Sequence, residues 1–137
     1  MENYLNPKMS AAQVDAISSL GLAHVGDGVY ELLCRSYLAE HGDHTLKNLH
    51  SHTISLVNAP AQARFAARLL PQLSERELAY YRRGRNAHTH AAPKSATARE
   101  YSMATGLEAL FGALYLLGET ARLNELFIRM MEEDDGI

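Results

Sequence analysis

The sequence predicts an all-α protein that forms a single domain. Apolar residues recur at helical spacing along most of the chain, and no stretch shows the strict alternation typical of a strand. The length of 137 residues suits one compact domain and is too short for two of ordinary size. Hydrophobic residues make up 47% and charged residues 21%, a balance typical of a globular rather than a disordered protein.

The N-terminal part is expected to contain two helices. A short helix over about Ala11–Ser19 leads into a longer one over about Leu20–Glu40. Gly42 should end the longer helix, because glycine readily adopts the left-handed conformation found at helix C-termini. On a helical wheel Asp27 lies at the border of the core stripe of this helix. The stripe comprises Leu22, Val25, Val29, Leu32 and Leu33.

The middle of the chain predicts two further helices. Helical spacing continues over about Thr45–Leu70, where Pro60 should break or kink the helix. Ser74 followed by Glu77 is a capping-box pattern, so a helix should begin there and end near Arg83. The stretch Gly84–Ser95 contains glycine, asparagine and proline and is expected to be a long loop.

Two last helices are expected near the C-terminus. An apolar helix should cover Ala96–Leu117 and end at Gly118, and an amphipathic helix should cover Thr120–Met131. The domain therefore spans residues 1–137, with its core over about 6–126 and an acidic tail over 132–135. The tail is expected to be a solvated segment.

The net charge of −3 conceals a basic segment. Five lysine and arginine residues lie between Arg82 and Arg99, with no acidic residue among them. Such a segment on an otherwise acidic protein is a candidate contact for a polyanion, and a solvated loop without a partner is the alternative. No apolar run reaches the roughly 20 residues that span a bilayer.

The single cysteine, Cys34, excludes an internal disulfide framework and a thiolate zinc site. It lies beside the core stripe of its helix and is expected to pack there rather than act as a nucleophile. The first residues lack the basic and apolar regions of a secretory signal. A reducing cytoplasm is the expected compartment.

Two carboxylates stand alone in apolar helices. Asp27 is the only formally charged residue from Ala16 to Tyr30, and Glu108 is the only one from Tyr101 to Gly118. A buried carboxylate is costly unless it is paired, protonated or bound to a cation. The two acids could meet in space and hold Mg²⁺, which prefers oxygen ligands. Alternatively, Asp27 hydrogen-bonds within its own segment and Glu108 pairs with a distant arginine.

Glu31 follows Asp27 by one helical turn and is a candidate third carboxylate of such a site. Arg35 lies one turn further along, so an i,i+4 ion pair on the surface is the favoured interpretation.

The segments around both acids resemble known signatures. Gly21–Glu31 (GLAHVGDGVYE) is similar to the signature helix of the ribonuclease III catalytic domain, and Leu107–Leu116 (LEALFGALYL) is similar to its second signature. Arg83–Ala87 (RGRNA), between them, resembles the loop of the Mini-ribonuclease III branch. Pro93–Lys94, Glu100–Tyr101 and Leu49–His50 match that branch too. The resemblance covers about Asn6–Leu126.

The resemblance implies an all-helical homodimer that binds double-stranded RNA and lacks a separate double-stranded-RNA-binding domain. It implies Mg²⁺-dependent hydrolysis of phosphodiester bonds, with 5′-phosphate products, in the maturation of 23S ribosomal RNA precursor ends. A ribosomal protein that presents the RNA is a further expected partner, and no membrane is involved. Asp27 and Glu108 would be the catalytic and metal-binding residues. The expected RNA-binding residues are Arg83, Arg85, Asn86, His88, Lys94 and Tyr101.

The sequence departs from the family at several positions. Full-length ribonuclease III enzymes carry four acidic residues in the site, whereas Leu20 and Thr105 occupy two of these positions here, a loss that the Mini branch shares. His88 stands where the branch commonly has lysine, and Gly28 where the family signature usually has alanine.

Two alternative functions remain open at this point. The first is a ribonuclease III-fold protein of ribosome assembly that binds RNA without cleaving it. Asp27 and Glu108 argue against it, because binding alone does not require buried acids. The second is a Mg²⁺-dependent nucleotide pyrophosphohydrolase, although such enzymes usually cluster glutamates one turn apart on a helix.

Overall fold

The computed structural model describes residues 2–42, 44–87 and 96–135, and the side chains up to Glu132. Within these ranges the fold is all-α, as predicted, with seven α-helices and no strand. The helices are α1 (Ala11–Asp15), α2 (Ser19–Glu40), α3 (Leu46–Val57), α4 (Ala59–Leu69), α5 (Glu75–Arg85), α6 (Ala98–Leu116) and α7 (Thr120–Asp135). No helix of these ranges is long and apolar enough to cross a membrane.

The helix boundaries follow the local signals of the sequence closely. Ser74 accepts a hydrogen bond from the Glu77 backbone N–H, and the Glu77 carboxylate accepts one from Ser74 N–H at 2.8 Å, which is the predicted capping box of α5. Gly42 and Gly118, with φ of 103° and 78°, adopt the left-handed conformation after α2 and α6.

The predicted helix over Thr45–Leu70 is divided at Asn58 into α3 and α4. The Asn58 side chain accepts a hydrogen bond from Ala61 N–H at 2.8 Å and so caps α4. Pro60 lies in the first turn of α4, where the missing proline N–H costs no helical hydrogen bond. The break is therefore confirmed, two residues earlier than the proline.

The arginines of the basic segment begin on a helix rather than in the predicted loop. Helix α5 ends at Arg85, so Gly84 is helical, and Asn86 is its C-terminal cap residue. Residues 88–95, the rest of the predicted loop, lie outside the described residues.

Helix α6 is the centre of the fold, and α2, α4 and α5 pack around it. Its buried residues run without interruption from Ala104 to Leu107 and from Ala109 to Leu114. The sequence left open whether its small residues serve packing within the chain or between chains. Thr105, Gly112 and Ala113 are all buried within the chain.

The predicted core stripe of α2 is wrong in part. Leu32 is 56% exposed, and Val25 and Val29 are only half-buried. The buried residues of α2 are instead Leu22, Ala23, Gly26, Tyr30 and Cys34. Helix α2 therefore turns a different face to the core from the predicted one, because its small residues let α6 approach closely. A ranking of positions by hydrophobicity does not predict this. Burial raises the pKa of the Cys34 thiol to about 12, in agreement with a packing role.

Candidate active site

Asp27 and Glu108 lie side by side where α2 crosses α6. A Cβ atom added at Gly26 would lie only 1.6 Å from the Glu108 carbonyl oxygen, and one added at Gly112 would lie 2.1 Å from the Leu22 carbonyl oxygen. The two backbones are therefore in contact, which only glycine permits at these positions. Asp27 directly follows Gly26, so the backbone contact at Gly26 places the Asp27 carboxylate beside that of Glu108.

The two carboxyl groups differ in their environment. Asp27 is exposed, whereas Glu108 is partly buried. Burial, followed by the hydrogen-bonding and charge interactions with Asp27, raises the pKa of Glu108 to about 8. A hydrogen bond from the Gln62 side chain opposes this increase. The side chains that shift the Glu108 pKa are thus an acid and an amide, rather than a distant arginine.

The pair is suited to a hard cation that retains most of its water. No group of three or more histidine, cysteine, aspartate or glutamate residues with the geometry of a metal site occurs within residues 2–42, 44–87 and 96–135. Mg²⁺ commonly takes only one or two carboxylates from a protein and completes its six ligands with water and substrate phosphates. Two adjacent carboxyl oxygens that repel each other are a donor set that such an ion would stabilise.

Glu31 is engaged elsewhere. Its carboxylate forms an ion pair with Arg35 at 2.7 Å, on the exposed side of α2. This is the i,i+4 pair favoured by the sequence.

The basic end of α5 packs against the stretch of α6 that contains Glu108. A Cβ atom added at Gly84 would lie 2.5 Å from the Thr105 carbonyl oxygen and 2.6 Å from Ala109 Cβ. Arg85 and Asn86 follow directly and are exposed. Arg85 Nε donates to Asn86 Oδ1 at 3.2 Å, and its guanidinium lies over the Tyr81 ring, 5.8 Å from the centroid. Exposed cationic and amide groups therefore flank the turn of α6 that carries Glu108.

Arg83 points into the chain. Its guanidinium donates to the Ile17 carbonyl at 2.5 Å, to Ser19 Oγ at 3.2 Å and to the Asp15 carbonyl at 3.5 Å. These bonds tie α5 to the turn between α1 and α2. An RNA contact of Arg83 stays a prediction, and in this conformation the guanidinium supports the turn that precedes the Asp27 helix.

The other predicted RNA-binding residues are only partly described. Tyr101 is half-buried on α6, two turns before Glu108, which is about 10 Å along the helix axis. His88 and Lys94 lie outside the described residues.

Sequence reasoning missed Gln62. This residue is 3% exposed and belongs to the buried face of α4 together with Ala61, Phe65 and Ala66. A lone amide on an otherwise apolar helix face was the available signal, because a buried amide needs polar partners.

Comparison with known proteins decides the family. Residues 20–119 match the ribonuclease III domain family. The chain belongs to the ribonuclease III family. It is 45% identical over 118 residues to Mini-ribonuclease 3 of Symbiobacterium thermophilum, which covers 86% of this chain and 91% of that protein. It is 37% identical to Mini-ribonuclease 3 of Clostridium tetani, over 95% of this chain and 89% of that protein.

The fold agrees with a solved structure as well. A crystal structure of a protein from Fusobacterium nucleatum superposes with a TM-score of 0.80 at 30% identity, covering 88% of this chain and 93% of the other. The chain is thus a ribonuclease III-family endoribonuclease, of a family that acts on double-stranded RNA and generally uses a divalent metal ion.

Leu20 and Thr105, the positions at which the resemblance implies further acids in full-length ribonuclease III enzymes, differ in their exposure. Leu20 is 45% exposed at the start of α2. Thr105 is buried, and its hydroxyl donates to the Tyr101 carbonyl at 2.9 Å within α6. Neither residue supplies a charged oxygen, so Asp27 and Glu108 are the acids that this ribonuclease III domain offers at these four positions.

Proposed function

We propose that the chain hydrolyses phosphodiester bonds of double-stranded RNA in a Mg²⁺-dependent reaction that leaves 5′-phosphates. The observation that carries this proposal is the meeting of Asp27 and Glu108 at the α2–α6 crossing, in a member of the ribonuclease III family. Two neighbouring carboxyl groups cannot both ionise without repulsion, and a divalent cation bound to both would remove that repulsion.

Asp27 and Glu108 would hold the Mg²⁺ ion. When bound, such an ion lowers the pKa of a coordinated water and neutralises charge on the scissile phosphate. Asp27 is exposed to solvent, so its carboxylate would accept a hydrogen bond from the attacking water and orient it. Glu108 is partly buried, and the Gln62 side chain beside it favours the ionised form of its carboxyl group. Water and phosphate oxygens of the RNA would supply the ion's other ligands.

The exposed groups at the end of α5 suit an RNA backbone. A-form RNA offers phosphates and 2′-hydroxyl groups rather than base edges to a protein without long insertions. Arg85 and Asn86 at the end of α5, together with Tyr101, His88 and Lys94, are the groups that we propose contact this backbone, and Arg83 joins them only if its internal bonds open. The cationic part of this binding should weaken steeply with salt concentration.

The substrate and assembly are proposed from the resemblance to the Mini-ribonuclease III branch. The RNA would be the paired ends of the 23S ribosomal RNA precursor in the bacterial cytoplasm, presented with the help of a ribosomal protein. Two copies of the chain would form a homodimer, and each copy would cleave one strand.

The test is cleavage of an end-labelled double-stranded RNA with Mg²⁺ by wild type, Asp27→Asn and Glu108→Gln. Both variants remove a charge with little change of size. We expect each variant to lower the cleavage rate by about 100-fold or more. Mutation of residues that merely hydrogen-bond to metal ligands already lowers metal affinity or activity by about 10–100-fold, and loss of a ligand itself should cost at least as much. Glu31→Gln, which removes a carboxylate paired with Arg35, is the matched control and should retain activity.

Three other outcomes would reject the proposal. RNA binding by wild type without cleavage, even with precursor ribosomal RNA and ribosomal proteins, would favour the non-catalytic function. Hydrolysis of nucleoside triphosphates in place of RNA would favour a pyrophosphohydrolase. Cleavage that survives both substitutions would place the active site elsewhere. Circular dichroism of each variant excludes loss of the fold as the cause.

A further inference from the structure

Gln62 is a polar side chain in an apolar part of the core. It is 3% exposed, and the surrounding positions of α4, Ala61, Ala63, Phe65 and Ala66, are all buried. Helix α4 packs against α6, the helix that carries Glu108. A buried amide in such a place is stable only where its donors and its acceptor find partners.

The donor side of the amide faces two acceptors. Gln62 Nε2 donates to the Val57 carbonyl oxygen at 2.8 Å, at the last turn of α3. The Gln62 side chain also lies beside the Glu108 carboxyl group and lowers its pKa, as a neighbouring N–H donor does. A carbonyl oxygen only accepts hydrogen bonds, so the contact with Val57 fixes which end of the amide is nitrogen.

The acceptor side has no partner. Gln62 Oε1 is buried and without a hydrogen bond among the described residues. A buried acceptor without a partner costs about 1–3 kcal/mol, and methionine would fill similar space without that cost. The amide at this position is therefore poorly explained by stability, whereas its contact with Glu108 relates it to the active site.

We propose that Gln62 is a positioning residue that holds the Glu108 carboxylate in the orientation in which it binds a divalent cation together with Asp27. The inference rests on the proposed function, since it requires the Asp27–Glu108 metal site. Groups that hydrogen-bond to metal ligands orient them, and their removal commonly lowers metal affinity by about 10–100-fold.

The test is the affinity of the full chain, free of metal at the start, for Mn²⁺, with free Mn²⁺ measured by electron paramagnetic resonance. Gln62→Met keeps the size of the side chain and removes the donor. We expect it to weaken Mn²⁺ binding by about 10-fold or more. Asn58→Ala is the matched control: Asn58 caps α4 at the same α3–α4 corner through Ala61 N–H, so the variant should lose stability while it binds Mn²⁺ as wild type does.

A second measurement does not depend on the folding of Gln62→Met. The side-chain amide resonances of Gln62 in the ¹⁵N–¹H spectrum should shift when Mg²⁺ is added to wild type and should not shift in Glu108→Gln. The inference would be overturned if Gln62→Met bound Mn²⁺ with wild-type affinity. It would also be overturned if the Gln62 resonances of wild type did not shift when Mg²⁺ binds. Either result would leave the proposed function intact. A wild type that binds no Mn²⁺, or binds it as Glu108→Gln does, would reject the metal site itself and the inference with it.

Discussion

At the scale of single residues, the two carboxyl groups determine both chemistry and stability. Burial and the neighbouring Asp27 raise the pKa of Glu108 to about 8 from its usual 4.5. The folded chain therefore binds a proton at Glu108 more tightly than the unfolded chain does. The stability that this proton contributes is complete below about pH 4.5 and is lost as the pH rises towards 8.

Glu108→Gln should therefore stabilise the metal-free protein in a pH-dependent way. Glutamine is neutral at every pH, so the variant escapes the loss that wild type suffers. Because one pKa unit corresponds to about 1.4 kcal/mol, we expect its free energy of unfolding to exceed that of wild type by about 2–4 kcal/mol near pH 8. The difference should vanish near pH 4.

Urea unfolding in the presence of EDTA, at several pH values, measures this difference. Glu31→Gln serves as control, because the exposed pair with Arg35 contributes at most about 1 kcal/mol. Parallel stability curves for wild type and Glu108→Gln from pH 4 to 8 would show that Glu108 is not a buried carboxyl group beside Asp27.

The residues that the sequence predicted are recognisable from their own segment, whereas the role of those that it missed depends on tertiary contacts. Asp27 and Glu108 are charged residues within apolar helices, which is unusual enough to be noticed without a structure. Gln62 is uncharged, and its importance depends on α6 passing next to α4. Arg83 belongs to a recognisable basic segment, but its internal bonds depend on where the turn between α1 and α2 lies.

At the scale of the helices, the site is a consequence of the α2–α6 crossing. Gly26 and Gly112 let the two backbones touch, and the same crossing rotates the apolar residues of α2 away from the core. The sequence predicted the helices well because caps and glycines act locally. It could not predict the crossing, because the hydrophobicity of α2 alone favours burying Leu32 rather than Gly26.

Gly26→Ala and Gly28→Ala test the crossing as a matched pair on one helix. The added Cβ of Gly26→Ala would lie 1.6 Å from the Glu108 carbonyl oxygen, so the helices must separate, and we expect a loss of about 3 kcal/mol or more together with loss of cleavage. At Gly28, which lines the surface groove of Val25 and Leu32, nothing within the chain lies within 4 Å of an added Cβ. Alanine there should be neutral or stabilise the helix by up to about 1 kcal/mol.

Thermal unfolding and RNA cleavage of the two variants provide the readout. Equal stability of Gly26→Ala and Gly28→Ala would mean that α2 and α6 are not in backbone contact, and the juxtaposition of Asp27 and Glu108 would lose its structural basis.

At the scale of the whole molecule, the apolar residues displaced from the core form a surface. Val25, Val29 and Leu32 of α2 line a groove with Leu123 of α7, and Leu5 of the N-terminal segment, 79% exposed, lies at its edge. A contiguous apolar patch on a protein surface is typical of an interface. In a homodimer of the proposed kind, each copy would contribute the same surface, because a twofold interface is self-complementary.

Leu32→Glu should therefore convert the proposed dimer into single chains. A charge at the centre of a self-complementary interface is buried next to its own copy, a like-charge contact that costs several kcal/mol. Sedimentation equilibrium should change from twice 15.2 kDa to 15.2 kDa. Leu46→Glu is the control: Leu46 is 82% exposed on α3 and does not line this groove, so the variant should remain dimeric. If Leu32→Glu stays dimeric, or if wild type is already monomeric, the α2 surface is not the interface, and the exposed apolar stripe then requires another partner.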